Sequence, residues 1–126
     1  MQVMQHLLLT ERGMGGLFKA PQQPANRPNL QKAEQIIGTM ADRTQIRNAP
    51  ERVQPPAIET LSQADAVQLF EAGRLKTLEK AQASDFGIEL IGYSSPYFGH
   101  MTVSELLVFL AAHCQRHLVQ IKQAQI

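Results

Sequence analysis

The sequence predicts an all-α protein, an antiparallel helical bundle with three long core helices and a short one. Apolar residues recur at helical spacing in four segments, and two of these segments begin with capping-box pairs. No segment alternates apolar and polar residues convincingly, apart from the short stretch IELIGY at 88–93. The chain has 126 residues, enough for one hydrophobic core, so we expect a single domain over residues 1–126.

The first predicted helix covers residues 2–19 and contains several glycines. Leu7, Met14 and Leu17 lie at helical spacing, whereas GMGG at 13–16 weakens the helix because each glycine costs about 1 kcal/mol. This motif is not a phosphate-binding loop, since no strand pattern precedes it and no Lys-Ser/Thr pair follows it. We expect close helix packing or an early helix end there.

Two proline-containing segments separate the next predicted elements. The stretch APQQPANRPN at 20–29 contains three prolines, which exclude a helix, and RNAPERVQPP at 47–56 is predicted to be a second extended loop. A shorter helix is predicted between them, over residues 30–42. Its apolar side consists of Leu30, Ala33, Ile36, Ile37 and Met40.

Capping boxes mark the predicted starts of the two remaining helices. Ser62 and Asp65 begin a helix that runs to about residue 83, and Thr102 and Glu105 begin a last helix that runs to about Lys122. The segment between them, 84–101, carries glycine, proline and aromatic residues. We predict that it is a loop.

Composition excludes several classes of function. The formal net charge is +1, and the twelve Lys and Arg residues form no basic tract, which argues against a nucleic-acid partner. The single cysteine, Cys114, rules out an internal disulfide and fits a reducing compartment. The N-terminal segment has no basic leader, and its apolar run is far shorter than the about 20 residues of a membrane span. We therefore expect a soluble cytoplasmic protein without a membrane partner.

The last predicted helix carries two histidines in an apolar stripe. His113 and His117 are four residues apart, on the face that also carries Leu106, Leu110 and Ile121. Side chains at this spacing have Cβ atoms about 5–6 Å apart, so two imidazoles can bind one ion. A buried imidazole without a partner costs about 1–3 kcal/mol, and a shared metal would remove that cost for both rings.

A third ligand would have to come from another helix. His6 is the natural candidate, because it lies on the apolar side of the first predicted helix. Three neutral imidazoles with one open position are typical of a catalytic metal site. The alternative interpretation is a histidine pair that is half-buried or structural and binds no metal.

Other polar residues carry weaker signals. His100 precedes the last helix and is predicted to face solvent or to cap that helix, and Arg116 is predicted to be a surface charge. Cys114 is interpreted as a small buried apolar residue. Glu11 and Glu105 are the nearest carboxylates in sequence, and both are predicted to be surface or capping groups. No residue stands out as a general base, so the catalytic residues stay unknown.

Two separated segments resemble a known family. The stretch FGHMTVSELLVFLAAHCQRHLVQIKQ at 98–123 resembles the C-terminal helix of the DinB-like proteins, and VMQHLLLTE at 3–11 resembles the family segment that carries another metal ligand. The second segment places that ligand at His6. The residues that match the C-terminal motif are Gly99, Thr102, Glu105, His113, Arg116, His117, Gln120 and Ile121.

The resemblance implies a four-helix bundle with a divalent metal, nickel, zinc or iron, held by His6, His113 and His117. Characterised relatives are thiol-dependent enzymes in which the metal activates a low-molecular-weight thiol, and homodimers are common among them. The resemblance thus implies a metal-binding protein that acts on a small-molecule substrate as a thiol-dependent transferase or a metal-dependent hydrolase. The alternative is a non-catalytic bundle or dimerising scaffold in which the histidines are structural.

The chain departs from the family pattern at its start. Family members usually have a further helix before the one that carries the first histidine, whereas this chain begins close to His6. A bundle without that helix would expose roughly 400 Å² of apolar surface, on the order of 10 kcal/mol. We expect a truncated chain, a misplaced start, or a bundle that is completed by dimerisation.

Overall fold

The computed structural model describes residues 2–42 and 62–124, which form four α-helices and a small antiparallel sheet. The predicted loop at 47–56 lies outside these residues. In chain order the elements are α1 (Gln2–Gly15), a short 3₁₀ helix (Gly16–Lys19), β1 (Gln22–Pro24), α2 (Ala33–Ala41), α3 (Gln63–Gln82), β2 (Ile88–Ser95), β3 (Gly99–Thr102) and α4 (Val103–Ala124).

The all-α prediction is wrong, because the protein also contains a three-stranded antiparallel sheet and is therefore mixed α/β. The strand order is β1-β2-β3, with Gln22 paired to Leu90 and Leu90 paired to Met101. The strands gave little signal in the sequence. β1 has only three residues, all of them exposed, and the β2–β3 pairing shifts register between Leu90 and Ser95. The stretch IELIGY, the one candidate for alternation, lies within β2.

The helices form two packed pairs that run parallel rather than antiparallel. Residue numbers rise in the same direction along α1 and α3, because Glu11 lies beside Gly73 and Gly15 lies beside Thr77. α2 and α4 behave likewise: the start of α2 contacts the start of α4, and Arg116 of α4 reaches the end of α2. The prediction of an antiparallel bundle is therefore wrong for these two pairs. Parallel neighbours need long connections. In each pair, other helices and strands lie between the two helices along the chain.

The helix boundaries agree with the sequence prediction to within a few residues. Ser62 caps α3 by accepting a hydrogen bond from the Asp65 amide at 3.1 Å. Before α4, Thr102 Oγ1 accepts from the Glu105 amide at 3.1 Å, while a Glu105 carboxylate oxygen accepts from the Thr102 amide at 2.9 Å. The predicted capping box at Thr102 and Glu105 is confirmed by both hydrogen bonds, and at Ser62 the predicted N-cap is confirmed. α1 ends at Gly15, where an added Cβ would lie 3.1 Å from the Thr77 hydroxyl, so the glycine permits the close packing of α3.

The hydrophobic core lies between the sheet and the helices α2 and α4. Met14 at the end of α1 and Ala81 of α3 complete it. Its largest fully buried apolar side chains are Ile36 of α2, Leu90 of β2 and Leu106 of α4. Large apolar side chains are also exposed at several separate places. Within the described residues, no helix has both the length and the apolar content that crossing a membrane requires.

A buried carboxylate joins the start of α4 to the sheet and to the connector before α2. Glu105 is a capping group, as predicted, and its side chain is also fully buried. It accepts hydrogen bonds from the Thr102 amide, from the Lys32 amide at 2.7 Å and from two nitrogens of Arg27 at 2.7 Å each. Arg27 also pairs with Glu89 of β2 at 2.9 Å. Burial alone would raise the pKa of Glu105, but the hydrogen bonds from Arg27 and the two amides outweigh it and lower that pKa.

We predict that Arg27→Ala lowers the free energy of unfolding by about 3–5 kcal/mol, because it leaves the buried Glu105 carboxylate without its counter-ion. Urea denaturation of the purified variant measures this loss. Arg12→Ala removes an exposed arginine from α1 and is the matched control, with an expected change below about 1 kcal/mol. Equal effects of the two substitutions would contradict the role assigned to Arg27.

Candidate metal centre

Three histidines from two helices converge on one point. His6 projects from α1, and His113 and His117 project from successive turns of α4. The Nε2 atom of His113 lies 3.2 Å from Nε2 of His6 and 3.2 Å from Nε2 of His117. One nitrogen of each ring lies within 4.8 Å of the others, and each residue is half-buried. The structure thus brings together the three histidines singled out in the sequence.

Neighbouring side chains fix the orientation of the two rings on α4. His117 Nδ1 lies 2.8 Å from Gln120 Oε1. The amide oxygen can only accept, so Nδ1 carries the hydrogen and Nε2 keeps its lone pair for the cluster. The ring of His113 stacks on Phe109, with centroids 5.3 Å apart and planes inclined by 21°. Both arrangements keep Nε2 directed at the centre of the cluster.

The nitrogen spacing fits a metal ion better than a set of hydrogen bonds. Zinc–nitrogen bonds of about 2.0–2.1 Å in tetrahedral geometry place two ligand nitrogens about 3.3 Å apart, close to the two separations of 3.2 Å. A neutral ring nitrogen has either one hydrogen or one lone pair. His113 Nε2 therefore cannot form a good hydrogen bond with His6 and with His117 together, whereas all three nitrogens can donate lone pairs to one ion.

Electrostatics keep the central ring in the form that a ligand must have. Burial, followed by the neighbouring charges of His117, His6, Arg116 and Arg74, lowers the pKa of His113 to about 3. His113 is therefore neutral at physiological pH, and no bound proton competes with a metal for its nitrogen.

The remaining predicted residues have other positions. His100 lies in β3 and is not part of the three-histidine cluster. Arg116 is not a simple surface charge, because its guanidinium donates to the backbone oxygens of Met40 at 3.0 Å and Asp42 at 2.6 Å and so caps the end of α2. Cys114 is half-buried and forms no disulfide.

The sequence interpretation missed a buried ion pair close to the cluster. Glu11, predicted to be a surface or capping group, is only 2% exposed and accepts a hydrogen bond from Arg74 Nε at 2.8 Å. The guanidinium of Arg74 also lies over the ring of Phe70, 5.0 Å from its centroid. Glu11 follows Leu7 and Leu8 by four and three residues, which places it on the apolar face of α1 and was a usable sign of burial. No spacing rule pointed to Arg74, because its partner lies on a distant helix.

One hydroxyl in the same region has no partner. Thr10 Oγ1 is the one buried side-chain nitrogen or oxygen atom without a hydrogen bond within residues 2–42 and 62–124. Thr10 follows His6 by four residues, so the two side chains lie on one face of α1, and a helical side chain leans toward the preceding turn.

Comparison with known proteins identifies the family. A sequence model of the DinB superfamily matches residues 1–121. The chain therefore belongs to the DinB superfamily, as the two motifs had suggested. Neither a curated protein nor a solved structure matches the chain.

We predict that the metal-free protein loses stability as the pH falls, with part of this loss due to His113. Its pKa is about 3 when folded, against about 6.5 when unfolded, so the unfolded chain binds the proton first. Above about pH 6.5, His113 is neutral in both the folded and the unfolded chain. As the pH falls from there toward 3, proton binding to the unfolded chain progressively lowers the free energy of unfolding. Urea denaturation at about pH 7 and about pH 4 measures the loss.

His113→Gln removes this titration and should lose less stability between the two pH values than the original chain. His100→Gln, the control outside the cluster, should lose as much as the original chain. A loss that is the same in all three proteins would contradict the assignment.

Proposed function

We propose that this member of the DinB superfamily binds one divalent metal ion through His6, His113 and His117. The observation that supports the proposal most directly is the position of His113 Nε2, 3.2 Å from the equivalent nitrogens of both other rings. Membership of the superfamily is compatible with this assignment. Three histidine ligands leave a coordination position open, which is the arrangement of a catalytic site rather than of a closed structural one.

The bound ion would supply Lewis acidity that favours deprotonation of a thiol or a water at neutral pH. The residues of the chain have separate tasks around it. Gln120 accepts from His117 Nδ1 and so holds the tautomer in which Nε2 is a ligand. Phe109 holds the plane of the His113 ring, and burial keeps that ring neutral.

For the reaction class, we propose a thiol-dependent transferase, in which a low-molecular-weight thiol occupies the open position, with a metal-dependent hydrolase as the second candidate. Histidine ligands suit nickel, zinc and iron alike, so the donor set does not select among them. A single domain, a homodimer, a cytoplasmic location and a small-molecule substrate belong to the same proposal.

We predict about one nickel, zinc or iron ion per chain in protein purified without a histidine tag. His113→Ala should abolish this metal content, because it removes the ring shared by both short nitrogen contacts. His6→Ala and His117→Ala should reduce it strongly. Elemental analysis of each variant, with circular dichroism to establish that it is folded, measures the effect.

His100→Ala is the matched control, because it removes the one other histidine of the chain, which lies in β3 outside the cluster. This variant should keep the full metal content. If the original chain contained no metal even after reconstitution with added ions, the proposal would be wrong. The chain would then be a non-catalytic bundle whose histidines are structural.

A further inference from the structure

Gln120 links the histidine cluster to the solvent-exposed surface of α4. It follows His117 by three residues, so the two side chains lie on one face of the helix. Its Oε1 lies 2.8 Å from Nδ1 of His117, while Nε2 of the same ring lies 3.2 Å from Nε2 of His113. The amide therefore contacts a proposed ligand through the ring nitrogen that the ion does not use. Gln120 is exposed, so its substitution requires no repacking.

The partner of a ligating histidine affects how strongly that ring binds an ion. Such rings commonly donate to a carboxylate, a backbone carbonyl or a water, and the acceptor fixes the tautomer and raises the basicity of the ligand. A carboxylate does this most strongly, because its hydrogen bond is charge-assisted and is about twice as strong as a neutral one. Its negative charge also offsets part of the charge of the ion. An amide fixes the same tautomer without adding charge.

The side chains of the cluster leave the charge of an ion uncompensated. Within residues 2–42 and 62–124, the group of side chains that could hold a metal contains three imidazoles and no carboxylate. Glu11, the buried carboxylate of α1, is already paired with Arg74 at 2.8 Å. Because Gln120 is also neutral, a divalent ion bound by three neutral imidazoles would retain its double positive charge. An anion is the ligand that such a centre attracts most strongly.

We propose that Gln120 is a positioning residue whose neutral amide holds His117 as a ligand and preserves the positive charge of the ion for an anion at the open position. The inference rests on the proposed metal site and specifies the class of its further ligand. The geometry that supports it is the 2.8 Å contact between Gln120 Oε1 and the His117 nitrogen outside the cluster. With a carboxylate at position 120, the same contact would strengthen metal binding and weaken anion binding.

The test uses the full chain with cobalt(II) at about pH 8, where protons compete little with the ion for histidine. Competition with a chromophoric chelator measures the affinity for cobalt, and the change in cobalt absorption on titration with sodium azide measures the affinity for an anion. Gln120→Glu should bind cobalt about tenfold more tightly, and azide about tenfold more weakly, than the original chain. Gln120→Met keeps the side-chain length but loses the strong acceptor, and it should bind cobalt about tenfold more weakly.

Gln115 provides the matched control on the same helix. It is exposed, lies five residues before Gln120 and projects about 140° away from it around the helix. Gln115→Glu and Gln115→Met make the same changes of charge and length, and Gln, Glu and Met have similar helix propensities. Both control variants should change each affinity by less than about twofold, because solvent and salt screen an exposed charge that is outside the hydrogen bond to His117. Circular dichroism establishes that each variant is folded.

The outcomes separate this inference from the proposed function. A chain that binds no cobalt would overturn both. Equal cobalt affinity in the original chain, Gln120→Glu and Gln120→Met would overturn the role of Gln120 and leave the metal site intact. Tighter cobalt binding in Gln120→Glu without weaker azide binding would contradict the effect on charge, and so would a cobalt spectrum of the original chain that does not respond to azide. Equal shifts in Gln115→Glu would assign the effect to distant charge and would also overturn the inference.

Discussion

The buried carboxylate of Glu105 is the constraint on which the arrangement of this protein depends. It joins the first turn of α4 to Lys32 at the start of α2 and, through Arg27, to Glu89 in the sheet. A carboxylate at this depth is stable only because every partner is present at once. The network therefore fixes where α4 begins relative to the sheet. Since α4 carries His113 and His117, it also sets the position of the candidate metal centre.

Bringing the three histidines together costs free energy, and the packing of the rest of the fold compensates for this cost. Three imidazoles meet at distances that hydrogen bonds alone cannot satisfy, and the central ring is driven neutral by its surroundings. An arrangement of this kind is unfavourable without a ligand, because the nitrogens face one another instead of water. The packing of α1 against α3 and the anchored start of α4 hold His6 beside the pair on α4.

Features that depend on local spacing could be predicted from the sequence, and those that depend on distant partners could not. The helical stripe, the capping residues and the pair His113 and His117 all follow from the geometry of one helix. No spacing rule relates His6 to α4. Its place on the apolar side of the first helix made it a candidate, and the family resemblance supported that choice. The sheet was missed since β1 and β3 are short, β1 has no buried residue, and burial does not alternate regularly along the eight residues of β2. Glu105 was recognised as a cap but not as a buried charge, because its partner Arg27 lies in a connector 78 residues away.

The convergence of α1 and α4 on one ion is the central claim, and X-ray absorption spectroscopy of the zinc-loaded protein tests it most directly. The account predicts three imidazole nitrogens at about 2.0–2.1 Å from the zinc, and two in the His6→Ala variant. A spectrum with two imidazoles in the original chain, unchanged by His6→Ala, would contradict the account. It would show that α4 binds the ion without α1.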